Sequence, residues 1–149
     1  CAEHPEVTLE VLGPVAVTTH VRDTAIFPHP RGCAAHWTAL GDGSIDLARL
    51  AELQKKLCPQ AALHLEIITG RPPRVVPFFE PEFWKAFPKA RAAEFARFVA
   101  LVKHGSPLMK PMVMEDVPGM NVAEYRAALK RQQWLDLERS LEFARQHMI

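Results

Sequence analysis

"VAVTTHVRDT", residues 15–24, decides how the rest of the chain is read. Its first part is dense in Val, Thr and Ala, which predicts a strand over about Val15 to Val21. It then ends in His20, Arg22 and Asp23. The period of two places Ala16, Thr18, His20 and Arg22 on one face of that strand. An apolar body with an ionisable tip suits a strand whose carboxyl end meets a ligand.

Working outward, "EVTLEVLGP" (6–14) carries Val7, Leu9, Val11 and Leu12 and closes on Gly13-Pro14, a helix-stop signal. The chain opens on Cys1 inside such an element, so upstream sequence is expected. Residues 24–43 hold Pro and Gly signals and "LGDG" and are expected to form a long loop. Ser44 or Asp46 caps a helix reaching about Leu57, with Leu47, Leu50, Leu53 and Leu57 near helical spacing, and Pro59 stops it. "ALHLEIIT" (62–69) predicts a second strand with His64, Glu66 and Ile68 on one face.

"VVPFFEPEFWKAFP" (75–88) reads as a packed irregular piece with one or two helical turns. A helix follows from Lys89 to about Lys103, with Phe95, Phe98, Val99 and Val102 on one side. After a break, the tail from Val122 is helical. Trp134, Leu137, Leu141, Ala144 and Met148 form its seam, a face for packing on the chain itself or on a second copy as a homo-oligomer. Two strands do not make a parallel sheet alone, so further strands are expected from upstream sequence or from a partner.

Composition narrows the classes. Of 149 residues, 48% are hydrophobic and 23% charged, as in a globular domain. Lys+Arg number 18 against 17 Asp+Glu, so no overall field attracts nucleic acid or an acidic membrane surface. No apolar run is long enough to span a bilayer. Three scattered cysteines without a C-x-x-C pair fit a reducing compartment, and the cytoplasm is the expected location.

If the two strand faces look the same way, His20 and Glu66 lie side by side near the strands' carboxyl ends. A carboxylate within "LEII" is costly unless something pairs with it. Imidazole with carboxylate suits divalent Mn, Zn, Fe or Co, and carboxylate with water suits Mg. The alternative is a structural one: His20 as a satisfied core histidine, and Glu66 paired with Arg22 or Arg71.

In order and spacing, "TTHVRDT", "LGDGSIDLARL" and "LHLEIIT" resemble the last part of the xylose-isomerase-like TIM barrels, the superfamily of sugar-phosphate isomerases and epimerases and of apurinic endonuclease relatives. The resemblance implies an α/β fold forming the C-terminal part of a (β/α)8 barrel: the last two strands and covering helices over residues 1–104. A linker at 105–121 and a C-terminal helical extension at 122–149 complete the expected organisation. It further implies that His20 and Glu66 ligate one catalytic divalent metal (Mn, Mg, Zn or Co), with an Asp and a Glu contributed by earlier strands that this chain lacks. Glu66 would also act as acid and base, and Arg22, where relatives carry Lys, would hold a substrate oxygen or phosphate. The implied activity is proton transfer next to the carbonyl of a keto-sugar, sugar phosphate or polyol, and without those earlier strands this chain by itself is expected to be inactive. The alternatives are a non-catalytic relative or binding module, and a half-barrel that assembles with itself. The endonuclease branch places an Asp-x-His pair before its Gly loop. Here "CAAHWTALGDG" puts Ala35 and Trp37 there with His36 out of register, which argues against a nuclease. His29 and His36 are expected in the loop, Trp37 at the pocket mouth, and Asp23 turned away to brace it.

Overall fold

A computed structural model describes residues 2–115, 117–119 and 122–149. Helix α1 (Pro5–Leu12) is capped by His4, whose Nδ1 accepts the Glu6 amide at 3.3 Å. It gives way to a 3-10 turn at Gly13–Val15, where Gly13-Pro14 predicts the stop. Strand β1 (Thr18–Val21) is shorter than the apolar run expected from Val15. Its partner accounts for the difference. Strand β4 (Ala62–Leu65) pairs with it in parallel, in the register Thr18↔Ala62, His20↔His64 and Val21↔Leu65. Among the described residues no strand pairs with Val15 or Val17, which are 76% and 80% exposed.

Residues 24–43 correct the loop expectation. Strands β2 (Asp23–His29) and β3 (Gly32–Thr38) form an antiparallel hairpin, and β5 (Arg74–Val76) adds to the far side of β3. His29 and His36 are therefore strand residues. Pro28 is tolerated inside β2 because that strand lies at the sheet's edge, in the order β2-β3-β5. Gly32, at φ 146°, closes the turn where any Cβ would stand 2.3 Å from the Val76 carbonyl oxygen.

This arrangement overturns the barrel reading. The described residues form five strands in one two-stranded and one three-stranded sheet, with no closed barrel. Parallel pairing stops at β1 and β4. Between them the chain spends its β-forming residues on an antiparallel hairpin, which a barrel's parallel βα succession does not contain. The chain is a small α/β protein with two sheets.

Two cores hold it. Behind the parallel pair, Val21 and Leu40 pack with Leu47 and Ala51 of α2 (Leu47–Leu57) and with Ala144 and Met148 at the end of α5 (Ala123–His147). Asp46 Oδ1 accepts the Arg49 amide at 2.9 Å and is the cap of α2. Ser44 is used otherwise: its Oγ accepts the Ile26 amide at 2.9 Å. Behind the antiparallel sheet, Ile26, Cys33, Val76 and Phe78 meet Phe98 and Val102 of α4 (Ala92–His104). Phe78 makes edge-on ring contacts with Phe95 and Phe98, and Trp84 of the short α3 (Pro81–Trp84) donates its Nε1–H to the Phe78 carbonyl at 2.8 Å. Cys33 and Cys58 are free and buried.

The seam on α5 divides. Ala144 and Met148 are buried, whereas Trp134 is 62% exposed. Polar residues do much of the docking: Gln133 Nε2 donates to the Ile67 carbonyl at 2.8 Å, and Gln133 Oε1 accepts the Thr69 amide at 3.1 Å. Ser140 Oγ accepts the Leu40 amide at 3.1 Å. Of the expected linker at 105–121, residues 116, 120 and 121 lie outside the described residues. Among the described residues no helix is long and apolar enough to cross a membrane.

Candidate functional site

The register of β1 on β4 sets the geometry. His20 stands opposite His64, and the chain continues so that the Glu66 amide donates to the Val21 carbonyl at 2.9 Å. That bond extends the parallel ladder by one step and turns Glu66 towards the end of β1. His20 Nδ1 lies 3.8 Å from Glu66 Oε2. Arg22, one residue past β1, brings a terminal nitrogen to 2.5 Å from the same oxygen. All three residues singled out in the sequence thus meet at one carboxylate.

Arg22 is held from a second side. Its guanidinium carbon lies 3.9 Å from the centroid of the Trp37 ring, a cation–π contact that a lysine would make less well with its compact ammonium. The Arg22 side chain is 23% exposed and its Nε is a buried donor with no hydrogen-bond partner among the described residues. Trp37 stands opposite Thr24 in the hairpin, so the misread loop supplies the wall on which Arg22 is fixed. Of the two partners weighed for Glu66, the structure has Arg22. Arg71 pairs with Glu115 at 2.7 Å.

His64 joins the group although it was given no role. Its ring centroid lies 5.8 Å from that of His20, and its Nδ1 is 3.1 Å from Thr18 Oγ1 and 3.3 Å from the Thr19 carbonyl oxygen. The signal was present in the alternation His64-x-Glu66. His20 also lines an apolar groove of about 360 Å³ between α1 and β1, walled by Leu9, Leu12 and Leu63.

Asp23 braces the neighbouring turn, as its position beyond the strand tip implied. It is fully buried, and its carboxylate accepts the amides of Thr24 at 2.8 Å, Gly41 at 2.9 Å and Gly43 at 3.0 Å. Burial raises its carboxyl above the ordinary value, and the amides of Gly43, Thr24, Gly41 and Ile45 oppose the rise. Gly43 is needed sterically, because a Cβ would fall 2.0 Å from Asp23 Oδ1. Gly41 has a positive φ, at 85°. Asp42 pairs with Lys110 and Arg139 and ties the turn to α5. Thr69 Oγ1 donates to Asp136 at 2.8 Å, so α5 also fixes the segment that carries Glu66.

For a cation, the donors at this point are one imidazole and one carboxylate. Among the described residues no group of three His, Cys, Asp or Glu side chains converges. Two adjacent donors of this kind fit part of a coordination sphere whose other positions belong to water or substrate. Arg22 competes for the same carboxylate oxygen. His36 stands apart in β3: it is buried, its Nε2 has no hydrogen-bond partner among the described residues, and burial lowers its pKa.

No family model matches the chain, no curated protein matches its sequence, and no solved structure matches its fold.

Proposed function

We propose that His20, Glu66 and Arg22 serve a divalent-metal-dependent isomerase or epimerase reaction on a keto-sugar, sugar phosphate or similar polyol. The observation that supports it is the meeting of His20 and Arg22 at the Glu66 carboxylate, two strands apart in sequence and adjacent in space. A bound divalent ion would polarise the carbonyl and adjoining hydroxyl oxygens of the substrate. His20 and Glu66 are the residues that would hold it.

Glu66 is 39% exposed, so its free oxygen reaches a substrate carbon from solvent. As a base it takes the proton from the carbon next to the carbonyl, leaving the electron pair delocalised as an enediolate. As an acid it returns that proton to the neighbouring carbon while the hydroxyl proton passes between the two oxygens, giving the isomer; an epimer needs a second acid on the opposite face of the same carbon. Arg22 is fixed by Trp37 and by Glu66, and its remaining donors would stabilise the oxygen on which negative charge collects.

A second reading has its own observation. The 2.5 Å Arg22–Glu66 pair already neutralises the carboxylate, as a non-catalytic binding module would have it. Solvent-deuterium wash-in separates the two. With Mn²⁺ present, ketoses and their phosphates incubated with the chain in D2O are expected to gain deuterium beside the carbonyl. Glu66→Gln is expected to slow the exchange at least about a hundredfold. No exchange across the panel, or equal exchange by Glu66→Gln, refutes the enzyme reading.

A further inference from the structure

Beside Trp37, the three-stranded sheet and the segment after β4 form a cleft of about 350 Å³, lined by Ala35, Trp37, Ile68, Arg71, Pro72 and Arg74. Its wall follows from register. Arg74 stands opposite Ala35 on β3, and the period of two puts Ala35 and Trp37 on the same face. Two guanidinium side chains therefore share a cleft with an indole that already carries Arg22.

The two arginines differ in what holds them. Arg71 is anchored by Glu115 at 2.7 Å, which fixes it in place and balances its charge. Arg74 is exposed and forms no ion pair among the described residues. The Pro72-Pro73 turn between them restricts the backbone and keeps the spacing of the two side chains. A planar carboxylate presents only two oxygens, which one fork satisfies. A phosphoryl group presents three oxygens and up to two charges, and accepts from more than one fork.

We infer that the Trp37–Arg71–Arg74 cleft is an anion subsite that takes the phosphoryl group of a phosphomonoester. This deepens the proposed function and rests on it for the rest of the substrate: the acceptor would be a sugar phosphate, its phosphoryl group in the cleft and its carbonyl end towards Glu66. Trp37, touched by Arg22 on one side and lining the cleft, sets the boundary between the two parts.

The test uses inorganic phosphate, the full chain, and calorimetric titration without added metal. Saturable binding is expected in the native chain, reduced about tenfold or more by Arg74→Gln and less by Arg74→Lys, which keeps the charge but loses the fork. His20→Ala is expected to bind phosphate as the native chain does. Circular dichroism confirms that each variant is folded. No saturable binding in the native chain, undiminished binding by Arg74→Gln, or loss of binding in His20→Ala overturns the subsite. Phosphate binding through Arg74 together with a failed deuterium exchange leaves the subsite standing and refutes the isomerase reading alone.

Discussion

The two sheets of this small protein are built to different standards. The antiparallel sheet β2-β3-β5 is backed by a ring cluster in which Phe78 is 5% and Phe98 3% exposed. The parallel pair β1-β4 has one buried residue in eight, Val21, and carries His20 with a side chain 63% exposed. Two-stranded sheets are marginal by themselves. This one is sustained by the polar grip of α5 on the segment after β4 and by the Asp23 brace at the end of β1. The comparison separates stability from chemistry: the packed sheet carries the fold and the sparsely packed pair presents the ionisable groups. Arg22 and Trp37 join them.

The largest effect that sharpens this contrast is expected on the packed side. Phe78→Ala removes a ring at the centre of the aromatic cluster and is expected to lower stability by about 3–5 kcal/mol in urea melts. Asp23→Ala comes next. It strips three amides of their acceptor in a buried place, with an expected loss of about 3 kcal/mol. A loss below about 1 kcal/mol would show that the brace is dispensable.

A pH series tests the hairpin in another way. His36 has its folded pKa lowered by burial, so the unfolded chain binds its proton more readily. Its contribution is full above the ordinary histidine value of about 6.5 and is lost as pH falls through the folded value. Stability is therefore expected to decline from pH 7.5 to 5.5, and His36→Gln to flatten that slope. Asp23 runs the other way. Its raised folded pKa gives a contribution that is present below the ordinary aspartate value and lost as pH rises through the folded one. An unchanged slope in His36→Gln would remove His36 from the account. The smallest effect is on the open approach to β1: Val17→Thr is expected to change stability by less than about 0.5 kcal/mol.

The site was more legible in the sequence than the fold. Alternation along "TTHVR" and "LHLE" is a local signal, and parallel neighbours in register turn it directly into the meeting of His20, Arg22 and Glu66. The hairpin was hidden because its β-rich residues are interrupted by Pro28, Pro30 and Gly32, which mimic loop punctuation. Only tertiary context shows that Pro28 sits on an edge strand, where a missing donor does no harm. With 24–43 read as loop only two strands remain, and the barrel expectation rests on the resemblance of "TTHVRDT", "LGDGSIDLARL" and "LHLEIIT". The same gap hid why Arg22 is positioned, since Trp37 becomes its platform only when β3 pairs with β2. The sequence shows an apolar seam on α5, but Gln133, Asp136 and Ser140 make the contacts that matter near the site, and their pairing with backbone amides and the Thr69 hydroxyl leaves no hydrophobic period to read.

The central claim is that β1 and β4 bring His20 and Glu66 together to hold one cation. A double-mutant cycle on Mn²⁺ affinity, read by water proton relaxation of the full chain, tests it most directly. If both side chains hold the same ion, His20→Ala and Glu66→Gln each weaken binding by about tenfold or more, and the double variant loses clearly less than the product of the two. Mn²⁺ affinity unchanged by either substitution, or losses that multiply as for independent sites, would contradict it.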